Sequence, residues 1–342
     1  MKKKLCVWCL SDGRPGHFNQ TKGLVQTLEK GFDIELFWID VRLRAKPLRK
    51  LLRGLLNTNS QFFSSLICKL YQYELPTRHP DLIVSTGGNT AYLNIALATR
   101  FHCENYFIGS LRGLKAGLFS KVFTIEPTGS DNNILMPLAP VPFNREGLKD
   151  AGAALKQQHH KPLWALLIGG STREYLYSEN DWASLAEKMN LLADQCSIQW
   201  LVTTSRRTGA HVEQILADGL HKDTLADATW YSQQPRKVMM SYLGAADRVF
   251  CTEDSLSMLT EAIYSSKPAT SIFPFDHKPE QRYEAAISRL VERGWLQRCQ
   301  INKLDVRIEG QDSGLRADPA DELWRLIEIS GLHGLSKSDD NF

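Results

Sequence analysis

The stretch that decides the fold is LCVWCLSDGRPGH, residues 5–17. The apolar run Leu5–Leu10 predicts a buried strand, and it leads directly into a polar loop that contains two glycines. Apolar residues at helical spacing then predict a helix over 18–28. A strand, a glycine-containing loop and a helix in this order form the first half of a βαβ unit.

The same order recurs along the whole chain. Further strands are predicted at Ile34–Ile39, Asp81–Ser85, Tyr106–Ile108, Lys121–Ile125, within LWALLIGGS (163–171), and at Ile198–Thr203, Arg248–Cys251 and Thr270–Phe273. Helices are predicted at Thr90–Thr99, Trp182–Ala193 and Ser257–Ser265. Strands that alternate with helices indicate parallel sheets. The fold class is therefore α/β, with two Rossmann-like domains facing each other across a cleft.

The domain boundary is predicted in the polar stretch 149–162, KDAGAALKQQHHKP, which shows no clear period. We interpret it as a linker between an N-terminal domain, 1–148, and a C-terminal domain, 163–332. The polar residues 333–342 are predicted to be a frayed tail.

Composition limits the classes of function. The net charge of +3 over 342 residues is too small to indicate nucleic-acid binding. No apolar run reaches the roughly 18 residues of a membrane span, and the N-terminus lacks a signal-peptide cleavage site, so a cytoplasmic protein is expected. The seven cysteines form no framework. Cys6 and Cys9 are expected to point to opposite faces of a strand and to pack in the core rather than bind zinc.

Five polar loops follow predicted strands, at the edge where parallel sheets bind ligands. They are Ser11–His17, Thr86–Thr90, Gly169–Arg173, Thr204–Thr208 and Glu253–Met258. Their distribution over both halves predicts one shared interdomain cleft.

The first loop combines the carboxylate of Asp12, the guanidinium of Arg14 and the imidazole of His17. Histidine titrates near neutral pH, so His17 is a candidate general base. The alternative is that Asp12 and His17 only cap the helix that follows.

The loops of the second half suit a phosphate-bearing ligand. Glycine amides and arginines bind phosphate oxygens, a helix N-terminus suits a diphosphate, and a carboxylate two turns into that helix suits a ribose diol. The residues in these positions are Gly170, Ser171, Arg206, Arg207, Asp254, Ser255 and Glu261. A solvated basic turn and a simple capping box are the alternatives. The sequence contains no GxxxxGK[ST], no GxGxxG after the first strand and no DxD. We therefore expect no metal and no cofactor, and a phosphate-bearing donor as substrate.

Four segments resemble the elongated-mitochondria, or mitochondrial-fission, family. They are SDGRPGHFNQTKGL (11–24), PDLIVSTGGNTA (80–91), TTSRRT (203–208) and AADRVFCTEDSLSMLTEA (245–262) with the later Lys267-Pro268. The family is considered similar to GT-B glycosyltransferases, which have two Rossmann-like domains with a donor cleft. The order of these segments also resembles the transferase that adds N-acetylglucosamine to lipid-linked muramyl peptide, and the Kdo transferases of lipopolysaccharide.

The resemblance implies roles for individual residues. His17 or Asp12 would be the base, and the acceptor side would include Arg14, Gly87, Gly88, Asn89 and Arg112. The donor would be held by Gly170, Ser171, Arg206, Arg207, Asp254, Ser255, Ser257, Met258 and Glu261, with His277 and Gln281 near its sugar. Family members usually carry a His-Asp pair near the end of the first domain, and none is evident here.

The leading hypothesis is a metal-independent GT-B-type glycosyltransferase that moves a sugar from a nucleotide sugar to a cell-envelope glycoconjugate, such as lipopolysaccharide core. A nucleotide-sugar epimerase on the same fold is one alternative. A non-catalytic, membrane-associated adaptor is another. Its support is the basic leucine-rich stretch 42–56, which suggests peripheral contact with the anionic inner face of the membrane. The competing interpretation of this stretch is a surface helix whose leucines pack in the core.

Overall fold

The two sets of apolar strands form two separate parallel sheets in the computed structural model, which describes residues 2–44, 49–305, 318–331 and 335, except the side chains of Asn59 and Ser60. The strands are β1 (Lys3–Ser11), β2 (Phe32–Asp40), β3 (Arg42–Leu43), β4 (Tyr71–Gln72), β5 (Leu82–Thr86), β6 (Glu104–Ile108), β7 (Lys121–Thr124), β8 (Asn133–Leu135), β9 (Leu163–Ile168), β10 (Tyr175–Leu176), β11 (Gln199–Thr204), β12 (Leu225–Thr229), β13 (Arg248–Thr252), β14 (Ala269–Phe273), β15 (Asp276–His277) and β16 (Gln297–Gln300). The helices are α1 (Pro15–Leu28), α2 (Arg49–Lys69), α3 (Ala91–Phe101), α4 (Arg145–Gln157), α5 (Glu179–Gln195), α6 (Ala210–Gly219), α7 (Met239–Ala245), α8 (Leu256–Tyr264), α9 (Gln281–Glu292) and α10 (Pro319–Ile329).

Each sheet has a doubly wound strand order. The first sheet runs β2-β1-β5-β6-β7-β8 and the second β12-β11-β9-β13-β14-β16, and every neighbouring pair is parallel. Two short antiparallel pairs, β3-β4 and β10-β15, lie outside them. The prediction of two Rossmann-like α/β domains is confirmed.

Strand β1 is buried on both faces, as a strand inside a helix-covered sheet must be. Cys6 and Trp8 belong to the hydrophobic cluster on one face, whereas Val7 and Cys9 belong to the cluster on the other. Burial raises the pKa of the Cys9 thiol well above its ordinary value. The prediction that Cys6 and Cys9 pack on opposite faces in the core is confirmed.

The predicted linker 149–162 is wrong for most of its length, because helix α4 covers 145–157. Asn144 caps this helix by accepting a hydrogen bond from the Gly147 amide at 2.8 Å. The helix packs closely on α7, and a Cβ atom at Gly152 would lie 2.2 Å from the Ala245 nitrogen. Leu148, Gly152 and Leu155 lie on one side of this helix, and the boundary predicted after 148 divided that pattern, which is why the helix was missed.

The two compact units accordingly differ from the predicted domains. The first comprises Met1–Pro142 and Pro319–Phe342, and the second Phe143–Asp318. Helix α10 belongs to the first unit because Leu323 and Ile327 are buried in the cluster that contains Leu24. Of the predicted tail, 333–334 and 336–342 lie outside the described residues, and Leu335 is 2% exposed.

Of the basic stretch 42–56, Arg42–Leu43 form β3 and positions 49–56 form the start of helix α2. Leu52 and Leu56 are buried against the first sheet's core, whereas Leu51 is 56% exposed. Positions 45–48, with Lys46 and Leu48, lie outside the described residues. Among the described helices, none has the length and apolar character needed to cross a membrane.

Candidate active site

Four of the five polar loops lie where a sheet reverses its strand order, which is the position that binds ligands in doubly wound folds. In the first unit the reversal falls between β1 and β5, and in the second between β9 and β13. Loops 12–14 and 87–90 follow the first pair of strands, and loops 169–174 and 253–255 follow the second. All five loops chosen from the sequence follow strands.

Asp12 and His17 form a hydrogen-bonded pair at the first reversal. Helix α1 begins at Pro15, so His17 lies in its first turn rather than in the loop. Asp12 Oδ1 lies 2.9 Å from His17 Nδ1, and only 4% of the Asp12 side chain is exposed. A carboxylate oxygen can only accept, so Nδ1 carries the hydrogen and Nε2 keeps a free lone pair. The pair can therefore remove a proton at Nε2 and stabilise the resulting imidazolium.

The second oxygen of Asp12 is held by Asn89. The Asn89 side-chain amide donates to Asp12 Oδ2 at 3.2 Å, and the Asn89 carbonyl accepts from the Tyr71 hydroxyl at 2.7 Å. No side chain caps α1, whose N-cap residue is Arg14. Asp12 thus orients His17, and its hydrogen bond from the Arg14 amide at the helix start is long, 3.4 Å. No sequence pattern pointed to Tyr71, which lies in the two-residue strand β4.

Two glycines of the loop after β5 support neighbouring side chains. A Cβ atom at Gly87 would lie 2.2 Å from His17 Cε1, so the imidazole ring rests on the bare backbone there. A Cβ atom at Gly88 would lie 3.2 Å from Arg112 Cδ. The buried hydroxyls of Thr21 and Thr86, 2.7 Å apart, fix α1 against this loop. The structure therefore brings together all five residues predicted for the acceptor side, namely Arg14, Gly87, Gly88, Asn89 and Arg112.

Gly87→Ala is expected to displace His17. The new methyl group would occupy the place of the imidazole ring, and the φ of +90° is strained for alanine. We expect the side-chain resonances of His17 in ¹H–¹³C NMR spectra to shift and its hydrogen bond to Asp12 to break.

The matched control is Gly129→Ala, which has a similar φ of +74° but no atom within 4 Å of the new Cβ. This control introduces the same kind of backbone strain but no steric clash. An unchanged His17 spectrum in Gly87→Ala would show that the ring does not rest on this glycine.

An open groove of about 1020 Å³ begins beside Asp12 in the first unit. It combines aromatic rings, carboxylates and arginines, and its lining includes Asp12, Arg14, Trp38, Asp40, Arg42, Arg44, Tyr71, Tyr73, Glu74 and Asn89. Aromatic faces beside charged groups suit a saccharide that carries charge. Trp38 and Tyr73 were not assigned to a site from the sequence, and Arg42 and Arg44 were predicted as part of the stretch 42–56 that contacts a membrane.

In the second unit, the backbone after β9 is built around glycine. A Cβ atom at Gly169 would lie 2.2 Å from Asp254 Oδ2, and one at Gly170, where φ is +131°, would lie 2.6 Å from the Arg207 carbonyl oxygen. The Gly169 amide donates to the Thr252 hydroxyl at 2.7 Å, and its carbonyl accepts from the Thr208 hydroxyl at 2.9 Å. Hydrogen bonds thus join the ends of β9, β11 and β13 at this point.

The two arginines after β11 have different environments. Arg207 Nη2 donates to Asp254 Oδ2 at 2.7 Å, and the Asp254 side chain is fully buried. Burial raises the pKa of the Asp254 carboxyl, and the Thr252 hydroxyl and Arg207 offset part of that rise. Asp254 therefore orients Arg207 rather than meeting a ligand directly, and both Arg206 and Arg207 are exposed.

The N-terminus of α8 has open backbone amides. Ser255 is its N-cap residue, and no side chain accepts from the first turn, which contains Ser257 and Met258. Unpaired amides at a helix N-terminus attract anions. Glu261 lies further along the same helix and is half-buried.

The remaining donor-side residues lie on short elements near the β9 loop. His277 in β15 pairs with Tyr175 in β10, which follows Ser171 by four residues. The Ser171 hydroxyl accepts from the Tyr177 amide at 3.2 Å, and Gln281 is the exposed first residue of α9. The structure places Ser171 and His277 at the two short strands, and Gln281 four residues beyond His277.

A buried carboxylate that the sequence did not single out anchors the loop after β13. Glu253 is fully buried, and both its oxygens accept from Arg298, at 2.6 Å from Nη2 and 2.8 Å from Nε. The hydroxyls of Tyr175 and Ser271 complete the arrangement at 2.9 and 2.7 Å. Glu253 precedes Asp254, so this network positions the loop that was predicted to bind phosphate.

Two Rossmann-like units, with polar loops at both strand-order reversals, define a protein with the GT-B-like fold of glycosyltransferases and nucleotide-sugar epimerases. The model of the mitochondrial fission ELM1 family matches residues 15–322, and the chain belongs to that family. An uncharacterised protein of Rickettsia prowazekii is 23% identical over 323 residues, which cover 84% of this chain and 88% of that protein.

Among solved structures, the chain is similar to UDP-GlcNAc 2-epimerase from Methanocaldococcus jannaschii. The TM-score is 0.58 at 14% identity, over 95% of this chain and 99% of that one. It is also similar to the S. aureus MnaA structure with UDP, with a TM-score of 0.54 at 14% identity over 96% and 95% of the two chains. At such identities the similarity shows the fold alone.

Proposed function

We propose that this protein is a metal-independent glycosyltransferase, which moves a sugar from a nucleotide sugar to a cell-envelope glycoconjugate such as lipopolysaccharide core. The observation that carries the proposal is the 2.9 Å hydrogen bond from His17 Nδ1 to the buried Asp12 carboxylate. It leaves Nε2 as the base that a hydroxyl acceptor requires. All seven cysteines are free, which supports work in the reducing cytoplasm.

The proposed reaction divides between the two units. His17 Nε2 takes the proton of the acceptor hydroxyl as its oxygen forms a bond to the anomeric carbon. The bond from that carbon to the diphosphate breaks, and its electron pair leaves with the nucleoside diphosphate. Arg206 and the first amides of α8 would stabilise the new negative charge, and Asp12 the imidazolium.

We propose that the donor is a sugar linked to a nucleoside diphosphate such as UDP, the nucleotide in the structure of the S. aureus neighbour. In the second unit, Arg206 and the backbone amides at the start of α8 would bind the negatively charged diphosphate. The acceptor side is proposed at Gly87, Gly88 and Arg112 together with the groove beside Asp12, whose arginines Arg14, Arg42 and Arg44 favour an anionic saccharide.

Arg206→Ala is expected to weaken UDP binding about 10- to 100-fold, because a charge-assisted hydrogen bond contributes roughly 1.5–3 kcal/mol. Isothermal titration calorimetry measures the dissociation constant of UDP. EDTA in the sample removes divalent metals, so the same titration tests whether binding needs a metal. The control is Arg293→Ala, which removes an exposed arginine that stacks on Trp295 at 4.7 Å. Equal affinity in Arg206→Ala and wild type would remove Arg206 from the donor site.

A nucleotide-sugar epimerase is the second candidate, favoured by the fold similarity to the Methanocaldococcus jannaschii enzyme. An epimerase needs no acceptor. Incubation with UDP-GlcNAc alone, followed by separation of the sugars, distinguishes the two. Formation of an epimeric sugar without acceptor would overturn the transferase proposal.

A further inference from the structure

Helix α2 has an apolar stripe on the side that faces solvent. Leu51, Phe62 and Leu66 are 56%, 75% and 48% exposed, and Leu55 is half-buried between them. Positions 51, 55, 62 and 66 fall on one side of a helix. An adjacent side of the helix already faces the protein, because Leu52, Leu56 and Ile67 are buried in the core of the first unit. The outer stripe is therefore a second apolar face, beyond what folding requires.

The charge of this region has a single sign. Seven Lys and Arg and no Asp or Glu lie between positions 41 and 69, although 38 of the chain's 342 residues are acidic. Lys50 and Lys69 are exposed at the two ends of α2. Arg53 is not counted among the flanking cations, because its Nη1 donates to the Arg112 carbonyl at 3.1 Å. The cations that flank the outer stripe are thus Lys50 and Lys69.

The polar residues on this side are uncharged and small. The Thr58 hydroxyl donates to the Gly54 carbonyl at 2.9 Å, so it needs no water when the face is covered. Gly54 and Ser65 are also exposed. Nothing charged has to be dehydrated along the stripe between Lys50 and Lys69. Long lysine side chains at both ends can reach phosphate groups while the stripe enters an apolar layer.

We infer that the outer face of α2, formed by Leu51, Leu55, Phe62 and Leu66 and flanked by Lys50 and Lys69, docks on an anionic lipid bilayer. The helix lies in the plane of the interface, with the stripe at the boundary of headgroups and acyl chains. Charge complementarity selects this occupant, because the charged residues of the region are all cations and the surface of an anionic bilayer has a net negative charge. The inference does not depend on the transferase chemistry.

The test is flotation of the full chain with two kinds of vesicle, phosphatidylcholine alone and phosphatidylcholine with phosphatidylglycerol. We expect binding to the anionic vesicles only, and loss of binding at high salt. Phe62→Ser with Leu66→Ser should weaken binding at least about tenfold, since it removes two inserted side chains. Lys50→Glu with Lys69→Glu should weaken it as well.

The control is Leu191→Ser with Ile329→Ser, which removes two apolar side chains that are 43% and 84% exposed elsewhere. It should float as wild type does. All variants alter exposed side chains, and matching thermal melts and UDP affinities would show that fold and donor site are intact. Failure of wild type to float, or undiminished flotation of Phe62→Ser with Leu66→Ser, would overturn the inference. A wild-type dimer that this pair of substitutions converts to a monomer would assign the stripe to a protein interface instead.

Discussion

Replacing His17 with alanine is expected to lower the rate of sugar transfer by about 10²–10⁴-fold, the usual contribution of general-base catalysis. UDP affinity should stay unchanged, because the donor-binding residues lie in the second unit. Asp12→Asn should produce a similar loss, since an amide in place of the carboxylate no longer holds Nδ1–H and stabilises no imidazolium. Single-turnover transfer of a radiolabelled sugar to a membrane extract measures both effects.

The control for His17→Ala is His211→Ala. His211 also pairs with a carboxylate, that of Glu179 at 2.8 Å, but both side chains are more than 70% exposed. We expect its rate to match wild type. Full transfer activity in His17→Ala would exclude this histidine as the base.

Arg298→Ala is expected to destabilise the second unit by about 3–5 kcal/mol, the usual cost of breaking a buried ion pair from one side. It leaves the fully buried Glu253 without the guanidinium that binds both its oxygens. Urea unfolding followed by tryptophan fluorescence measures the change in the free energy of unfolding. UDP binding should weaken as well, because Glu253 anchors the loop that carries Asp254.

The control is Arg236→Ala. Arg236 Nη2 lies 2.8 Å from Asp227 Oδ1, and the Asp227 side chain is 29% exposed. An exposed pair contributes about 0–1 kcal/mol, so this variant should remain close to wild type. Adding Glu253→Gln to Arg298→Ala removes the buried charge and should restore part of the lost stability. Equal destabilisation by Arg298→Ala and Arg236→Ala would contradict the structural role of the buried pair.

The strands and the loops that follow them could be predicted because buried parallel strands are continuous apolar runs. That signal located Leu163–Ile168, and with it the glycines at the second strand-order reversal. Helix α4 was missed because the domain boundary predicted after Leu148 separated this buried leucine from Gly152 and Leu155, which lie on the same side of the helix. Helix α10 lies near the C-terminus but packs in the first unit. A local sequence pattern does not show which domain a distant helix packs against.

The site could be predicted only in part. Asp12 and His17 are five residues apart, and their loop carried its own signal in Gly13 and Gly16. Tyr71 supports Asn89 from 18 residues away, and Arg298 binds Glu253 from 45 residues away. Sheet geometry creates these pairs, so sequence spacing does not show them. Asp254 and Arg207 were each predicted to lie at the site, but only the structure shows that they form an ion pair with one another.

The most direct test of the central claim, that the chain binds and uses a nucleotide sugar, is a thermal-shift panel of UDP, ADP, GDP and their sugar conjugates. A nucleotide at 100 times its dissociation constant stabilises the folded state by about 2.7 kcal/mol, a clear rise in melting temperature. We predict this rise with a uridine diphosphate compound, its reduction in Arg206→Ala and its persistence in His17→Ala. A melting temperature that no nucleotide changes, in a sample that unfolds cooperatively, would contradict the account.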